Sequence, residues 1–373
     1  MMNQRKKWLT EKLEKLMSSE AYAAEKTNET IAKEYGLAPS DVVKLNYNEN
    51  LFIPREKIIP LLKEVAEECD FRIYPQEEEA KLKEKIGEYL QVTQQNVAVG
   101  NSSDEVMERV IRLFLEEGKT AVTFTPTFTV FNYCVQDQGA ELVAVPLKND
   151  FSVDVEAMQK TFTSDARLLY LCSPNNPTAN QLKPRETESL IEEFPGIILV
   201  DEAYAEYADY SVVQLINKYE NLIVLRTFSK AFSLAGLRLG YAVADPVLAR
   251  AINKTPTPYL VNVVSLSMGR KMLENIGLVR EAVAALKLER ANLINQLNDI
   301  EGVEAFDSKT NFVLFQTEKP YTRVYEQALK KGVIIKKLGK LLDHENCLRT
   351  TVGLPQMNAK LLAVLKEYMS EKT

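Results

Sequence analysis

A lysine and an arginine follow one apolar run and are eight residues apart, and together they could hold a phosphorylated aldehyde. The run covers residues 221–225 (NLIVL), and the next segment, RTFSKAFSLAGLRLG, contains Lys230 and Arg238. The lysine amine can trap a carbonyl group, whereas the guanidinium matches the geometry of a phosphate. A short apolar run of this kind is typical of a buried strand. We therefore predict that both side chains lie at the edge of a sheet.

Three further apolar runs end in polar residues. Residues 96–100 precede Ser102, Ser103 and Asp104, residues 167–172 precede Asn175 and Asn176, and residues 196–200 precede Asp201 and Tyr204. Taken singly, each group has a simpler explanation as a helix cap or a turn, and a lone loop lysine is usually solvated. Taken together, they supply the groups that a cofactor with an aldehyde, a ring nitrogen and a phosphate needs.

Short β-rich runs alternate with helical stretches between about residues 95 and 245. The runs lie at 96–100, 120–124, 141–147, 167–172, 196–200, 221–225 and 241–244. This alternation predicts an α/β fold, with a mostly parallel central sheet covered by helices on both faces. Ligands of such sheets bind beyond the carboxyl ends of the strands, which is where the polar residues lie.

The segment 254–259 (KTPTPY) interrupts the alternation. Beyond it we predict a helical stretch at 263–298, strands at 311–316, 332–336 and 348–352, and a closing helix. These elements would form a smaller α+β domain. The predicted division is a large cofactor-binding domain at 46–262 and a small domain at 263–373, to which residues 1–45 add an N-terminal helix and arm.

The first twenty residues show apolar side chains at helical spacing. These are Trp8, Leu9, Leu13, Leu16 and Met17. We expect an amphipathic helix that packs on the body of the protein. Charged residues interrupt every apolar stretch, so neither a signal peptide nor a membrane span is predicted.

The composition disfavours several classes of protein. The net charge of −6 over 373 residues comes from interspersed acidic and basic residues, which predicts no nucleic-acid partner. Four widely spaced cysteines indicate reduced thiols and a cytoplasmic protein. The single histidine, His344, lies in the polar run DHEN and is expected to be a solvated loop residue. No metal is expected, because a multi-histidine site is hard to build with one histidine.

A series of motifs along residues 37–370 resembles the fold-type-I aminotransferases that depend on pyridoxal 5′-phosphate, and within them the histidinol-phosphate aminotransferases. The motifs, in order, are KLNYNEN, YP, GNSSDE, PTF, SPNNPT, VDEAYAEY, RTFSKAFSLAGLRLGYA, PYLVN, NFVLF and LRTTVG. The resemblance implies pyridoxal phosphate as cofactor and a homodimer with shared active sites. It also implies transamination between a small-molecule amino donor and a 2-oxo acid.

The resemblance also implies a role for each residue at the strand ends. Lys230 would bond to the cofactor aldehyde and carry the substrate proton. The ring would be bound by Asp201 at its nitrogen, by Tyr204 and Asn176 at its phenolate oxygen, and by Phe128 on its face. The phosphate would be held by the backbone of Ser103 and Asp104, and by Ser102, Thr227, Ser229 and Arg238. Tyr74 would reach across to the phosphate of the neighbouring subunit.

The same resemblance implies a substrate site. Arg349 in LRTTVG matches the arginine that grips an anionic group, and Lys336 stands where a second arginine is usual. Two cations favour a phosphorylated substrate, namely L-histidinol phosphate with 2-oxoglutarate as acceptor. Lys336 and Lys337 are adjacent on a predicted strand, so one must point away, and a solvated Lys336 is an open alternative. Asn50 and Tyr74 complete the implied substrate contacts.

Three positions depart from the family pattern. Ser102 and Ala179 replace glycines and Leu51 replaces a proline, but no catalytic group is lost. An aromatic amino-acid aminotransferase and a decarboxylase of a phosphorylated amino acid are open alternatives. A non-catalytic binding module on the same scaffold is disfavoured, because it would not need the intact set of Lys230, Asp201, Tyr204 and Arg238. A nicotinamide dehydrogenase has no support, because no GxGxxG follows any predicted strand.

Overall fold

The computed structural model describes residues 2–18, 27–254 and 258–371. Within these ranges the strands are β1 Val43–Lys44, β2 Val97–Gly100, β3 Thr120–Thr125, β4 Glu141–Pro146, β5 Ala166–Cys172, β6 Ile197–Asp201, β7 Leu222–Thr227, β8 Gly240–Ala244, β9 Val303–Ala305, β10 Phe312–Thr317, β11 Val333–Ile334, β12 Lys336–Leu341 and β13 His344–Thr351. The α-helices are α1 Met2–Ser18, α2 Asn28–Tyr35, α3 Arg55–Glu68, α4 Glu78–Leu90, α5 Ser103–Phe114, α6 Thr129–Asp137, α7 Val155–Gln159, α8 Pro184–Glu193, α9 Pro246–Asn253, α10 Val263–Glu274, α11 Ile276–Asn298, α12 Tyr321–Lys330 and α13 Pro355–Ser370.

The central sheet has seven strands in the order β2-β8-β7-β6-β5-β3-β4. Neighbouring strands from β7 to β4 run parallel, whereas β8 runs antiparallel to both β7 and β2. Strand β7 is buried along its whole length, as expected for the centre of a sheet covered on both faces. The predicted α/β fold with a mostly parallel sheet is confirmed, and the seven predicted strands match the observed bounds to within two residues.

Three neighbouring strands of this sheet end side by side. Cys172 at the end of β5 is the register partner of Asp201 at the end of β6, and Asp201 is the partner of Leu225 in β7. The loops that follow these strands therefore begin at one edge of the sheet. This alignment brings the polar residues of three separate sequence segments together.

A second sheet contains the antiparallel strands β12-β13-β10-β9, and β1 pairs in parallel with β11. The strand predicted at 332–336 is divided into β11 and β12, and the helical stretch predicted at 263–298 is divided into α10 and α11. The division into domains at residue 262 stays a prediction. Helix α10, which follows that boundary, packs on α3 and α4.

Helix α1 forms where the sequence predicts it, but its apolar side chains do not pack on the body. Trp8 is 63% exposed and Met17 is 83% exposed, and Leu9 and Leu13 are exposed as well. The side chain of Leu16 lies outside the described part. The expected packing is therefore wrong, because helical periodicity defines an apolar face without specifying its partner. None of the helices described combines the length and apolar character needed to cross a membrane.

His344 is the first residue of β13, so its prediction as a solvated loop residue is wrong. Its ring centroid lies 4.9 Å from those of Phe151 and Phe306. Its Nε2 forms a 2.7 Å hydrogen bond with the carbonyl oxygen of Asn149. The run DHEN is polar because His344 has exposed neighbours, but alternate side chains of a strand point to opposite faces. A polar run therefore does not exclude contacts of the His344 ring.

Candidate active site

Lys230 lies in the loop that follows β7. Its Nζ is 3.1 Å from the carbonyl oxygen of Tyr47 and 5.9 Å from the ring centroid of Tyr204. Burial, together with the charge of Arg349, lowers the pKa of Lys230 to about 8. About a tenth of the amine is therefore unprotonated at pH 7 and about half at pH 8, and the unprotonated form is the one that acts as nucleophile or base.

Asp201 is the last residue of β6 and is almost wholly buried. The Tyr170 hydroxyl donates to its Oδ2 at 2.8 Å, and the Ala203 N–H donates to its Oδ1 at 3.0 Å. Burial raises the pKa of Asp201 to about 6 although both donors act to lower it. Tyr170 was not predicted as a site residue. The sequence offers one indication of its position: Tyr170 precedes Cys172, the register partner of Asp201, by two residues and so lies on the same face of β5.

Tyr204 is buried and is held through its hydroxyl oxygen. Asn48 Nδ2 donates to this oxygen at 3.0 Å. The backbone of Asn48 is itself fixed, because its N–H donates to Thr351 Oγ1 at 2.9 Å and its carbonyl accepts from Asn311 Nδ2 at 2.8 Å. Burial raises the pKa of Tyr204, so its hydroxyl keeps a proton to donate. Asn48 was missed by the sequence reasoning, although its φ of 56° is one that asparagine tolerates.

The start of α5 forms a cradle of backbone N–H groups. Ser102 is the N-cap, and its Oγ accepts from the Glu105 N–H at 3.3 Å. The first N–H groups of a helix have no acceptor within it, and they favour a bound anion. A Cβ on Gly240 would lie 2.2 Å from the backbone nitrogen of Ser103, so β8 can pass this close only as glycine. The strand and the cradle are therefore held in close contact.

The loop after β7 reaches the same cradle. Arg238 Nη2 donates to Asp104 Oδ2 at 2.8 Å, which holds the guanidinium beside the start of α5. The Ser229 N–H donates to Thr227 Oγ1 at 3.1 Å, and Thr227 Oγ1 donates to the carbonyl of Leu239 at 3.4 Å. The structure thus brings the loop after β7, with Arg238, to the start of the helix.

Arg349 connects the second sheet to the loop after β5. Its Nη1 donates to Asn176 Oδ1, and its Nη2 donates to the carbonyl of Asn46 at 2.9 Å. Its guanidinium carbon lies 5.0 Å from the ring centroid of Phe312. Phe128 is the partly buried N-cap residue of α6 and packs against the core.

Lys336 and Arg349 are direct register partners in β12 and β13, so their side chains lie on one face of the second sheet. Lys337 points to the other face, where its Nζ lies 4.7 Å from the ring centroid of Tyr325. Of the two adjacent lysines, Lys336 is therefore the one on the side of the arginine.

Asn50 and Tyr74 differ in their surroundings. Asn50 is buried, with Nδ2 donating to the carbonyl of Ala231 at 2.9 Å and Oδ1 accepting from the Phe52 N–H at 2.9 Å. It therefore braces the chain next to Lys230. Tyr74 is 73% exposed and stacks on Tyr259 at 4.7 Å. Its predicted contact with a neighbouring subunit stays a prediction.

A buried ion cluster lies behind the loop after β6. Arg226 Nη2 and Glu202 Oε2 are 2.7 Å apart, and Arg226 Nη1 lies 3.2 Å from Glu206 Oε1. Arg226 Nη2 also donates to Ser211 Oγ at 2.8 Å. Because Glu202 follows Asp201 and Glu206 follows Tyr204 by two residues, this cluster ties the loop to β7.

The donor set matches pyridoxal phosphate in kind: a lysine of lowered pKa, a buried carboxylate, a phenol, and a helix N-terminus with an arginine. Residues 40–365 match the family of class I and II aminotransferases, and the chain belongs to this family. It is a pyridoxal-phosphate-dependent aminotransferase.

Its relatives are similar over most of their length. The chain is 35% identical to histidinol-phosphate aminotransferase from Thermoanaerobacter pseudethanolicus over 87% of this chain and 93% of that protein. It is 33% identical to histidinol-phosphate aminotransferase 1 from Bacillus cereus over 96% of this chain and 97% of that protein. The crystal structure of histidinol-phosphate aminotransferase from Sinorhizobium meliloti in complex with pyridoxal 5′-phosphate superposes with a TM-score of 0.84 at 25% identity, covering 95% of this chain and 96% of that one.

Proposed function

We propose that the protein transfers the amino group of L-histidinol phosphate to 2-oxoglutarate, giving imidazole acetol phosphate and L-glutamate. The observation that carries this proposal is the pairing of Lys336 with Arg349 on one face, with Arg349 also bonded to Asn176. Two cations suit a phosphate dianion better than a single carboxylate. The relatives that carry the name histidinol-phosphate aminotransferase support the same substrate.

The chemistry that pyridoxal phosphate supplies when bound is amine exchange at an aldehyde and delocalisation of an electron pair into its ring. Lys230 Nζ is proposed as the base that takes the proton from the substrate Cα and returns it, since its pKa is about 8. The Asp201 carboxylate would hold a proton on the ring nitrogen, because an anion favours the charged form of a neighbouring base.

Binding groups surround these two residues. The protonated Tyr204 hydroxyl and the Asn176 amide would bind the phenolate oxygen of the ring, and Phe128 would stack on its face. The cofactor phosphate would be held by the backbone N–H groups of Ser103 and Asp104, and by Ser102, Thr227, Ser229 and Arg238. The closeness of Arg238 to the start of α5 supports this assignment. Asn50 would contact the substrate through its second amide hydrogen, while its hydrogen bonds to Ala231 and Phe52 brace the chain next to Lys230.

We also propose a homodimer in which Tyr74 completes the site of the partner. Phe71, Ile73, Tyr74 and Tyr259 are all more than half exposed. A cavity of about 420 Å³, lined in part by Pro75 and Tyr259, opens beside them. Such a group of exposed apolar side chains is typical of a surface that another chain covers. The large domain would comprise residues 46–262, and the four free cysteines support a cytoplasmic location.

The substrate assignment is tested by comparing kcat/KM for L-histidinol phosphate and L-phenylalanine, with 2-oxoglutarate as acceptor. We expect a preference for the phosphorylated donor of about 100-fold or more, because a donor without phosphate cannot form the charged hydrogen bonds that the site would make to that group. Equal values would favour an aromatic aminotransferase. Release of carbon dioxide from a phosphorylated amino acid would favour a decarboxylase.

A further inference from the structure

Tyr170 is a fully buried tyrosine whose hydroxyl contacts Asp201. It lies in β5, and its Oη is 2.8 Å from Asp201 Oδ2. An ionised carboxylate only accepts hydrogen bonds, so the phenol must be the donor. The Ala203 N–H donates to the other oxygen, Oδ1. Each oxygen of this carboxylate therefore has one fixed donor from the protein.

The position of the hydroxyl is set by packing rather than by Asp201. The Tyr170 ring is stacked on Phe131, with centroids 4.2 Å apart and planes 9° from parallel. Its backbone carbonyl accepts from Thr123 Oγ1 at 2.9 Å. The ring belongs to the core of the central sheet, so the phenol is a rigid point to which the carboxylate is attached.

We propose that Tyr170 is a positioning residue that keeps Asp201 ionised and in one orientation toward the ring nitrogen of the cofactor. The proposal rests on the role given to Asp201 under the proposed function, and it adds a residue outside the group proposed to contact cofactor or substrate. Tyr170 would act on the cofactor through its hydrogen bond to Asp201.

The physical need for such a donor follows from the burial of Asp201. Burial favours the neutral acid, and the charges of Asp104 and Glu202 act in the same direction. The hydrogen bonds from the Tyr170 hydroxyl and the Ala203 N–H oppose these effects, and that from Tyr170 is the larger of the two. A neutral acid cannot serve as counter-ion to a protonated ring nitrogen, because it carries no charge to stabilise the proton. Without the phenol, a larger fraction of Asp201 would be protonated at a given pH.

The test is Tyr170→Phe, which removes the hydroxyl and keeps the ring. Tyr207→Phe is the matched control, since Tyr207 is also fully buried and its hydroxyl has no hydrogen-bond partner in the part of the chain that the structure describes. Infrared difference titration of the cofactor-free protein would give the pKa of the Asp201 carboxyl, with Asp201→Asn to identify the band. Absorbance titration at several pH values would give the dissociation constant of pyridoxal phosphate.

In Tyr170→Phe we expect the carboxyl pKa to rise above that of the unaltered protein. Cofactor binding should weaken by about tenfold, the factor that one hydrogen bond to a charged group gives. The ratio of variant to unaltered dissociation constants should grow as the pH falls from 8 to 6, because the variant protonates Asp201 first. Tyr207→Phe should leave both quantities unchanged.

An unchanged carboxyl pKa and cofactor affinity in a folded Tyr170→Phe protein would overturn the proposal. If that variant does not fold, 3-fluorotyrosine at position 170 provides a second test. Its phenol is more acidic and a stronger hydrogen-bond donor, so the pKa of the Asp201 carboxyl should fall. No change or a rise in this pKa would overturn the proposal. Asp201→Ala separates this outcome from a failure of the proposed function. Normal cofactor binding and turnover in Asp201→Ala would contradict the role of Asp201 itself. Weakened binding and turnover in Asp201→Ala, together with no change in Tyr170→Phe, would contradict only the role of Tyr170.

Discussion

At the scale of single residues, the backbone is strained at two positions where the family resemblance implies glycine. Ser102 and Ala179 both adopt positive φ angles, 85° and 65° respectively. Glycine adopts such angles without steric cost, whereas other residues are strained there. Ser102 and Ala179 therefore hold backbone conformations that glycine would adopt more easily. At Ser102 the side chain compensates in part by capping α5.

The adjacent lysines of β12 allow the substrate site to be tested one residue at a time. Lys336→Met should reduce kcat/KM for L-histidinol phosphate by about 10- to 100-fold, the factor expected when a hydrogen bond between charged groups is lost. Lys337→Met is the control, because Lys337 lies over the Tyr325 ring on the opposite face. Steady-state kinetics with both variants provide the measurement. Equal losses in the two variants would show that Lys336 has no special contact with substrate.

At the scale of elements, the active-site loops depend on the buried ion cluster of Arg226, Glu202 and Glu206. Arg226 belongs to β7, Glu202 directly follows Asp201, and Glu206 lies two residues after Tyr204. Burial raises the pKa of Glu206, whereas the positive charge of Arg226 acts to lower it. The cluster is therefore a structural support for the loop after β6.

Arg226→Met should lower the free energy of unfolding by about 3 to 5 kcal/mol at pH 8, because two buried carboxylates lose their cation. The carboxyl groups left behind would bind protons more tightly in the folded than in the unfolded variant. The loss should therefore be present at high pH and diminish as the pH falls toward 5. Urea unfolding at both pH values measures it.

The control for this prediction is Arg270→Met. Arg270 pairs with Glu68 and Glu274 at 2.9 and 2.7 Å, but both glutamates are substantially exposed. Its removal should cost less than about 1 kcal/mol, with little change between the two pH values. A loss in Arg226→Met no larger than this, or one that grows toward low pH, would contradict the role of the cluster.

At the scale of the whole molecule, the proposed dimer predicts that two defective chains restore each other. Lys230→Ala should be folded but inactive, and Tyr74→Ala should bind cofactor more weakly. A mixed dimer of the two would contain one intact site, with Lys230 from one chain and Tyr74 from the other, and one site in which both residues are replaced. Activity at limiting cofactor should therefore return to about one quarter of normal after subunit exchange in an equal mixture, the statistical share of intact sites.

The control for this experiment is the same mixture assayed before subunit exchange, when only the two kinds of homodimer are present. If Tyr74 acted within its own chain, every site of a mixed dimer would contain one defect, and no activity would return. Activity of Lys230→Ala by itself would contradict the role of the lysine. Light scattering establishes whether the protein is a dimer under the assay conditions.

Local sequence patterns determined the central strands, the parallel sheet and the order of the motifs, because burial of a strand requires a run of apolar residues that is visible in the chain. The strand ends likewise identified Lys230, Asp201 and Arg238 as candidates. The same patterns predicted α1 correctly as a helix and wrongly as a packed one, because the covering surface of an apolar face is not encoded by its periodicity.

Only the tertiary structure decided which residues meet across segments. Asn48 contacts Tyr204 from 156 residues away, and Tyr170 contacts Asp201 from 31 residues away. Such bonds depend on strand order and register, which no single segment specifies. The choice of Lys336 over Lys337 has the same origin, because the pairing of β12 with β13 determines which lysine shares a face with Arg349. The reactive groups could thus be predicted from the sequence, whereas their supporting contacts depend on the pairing of strands that are distant in the chain.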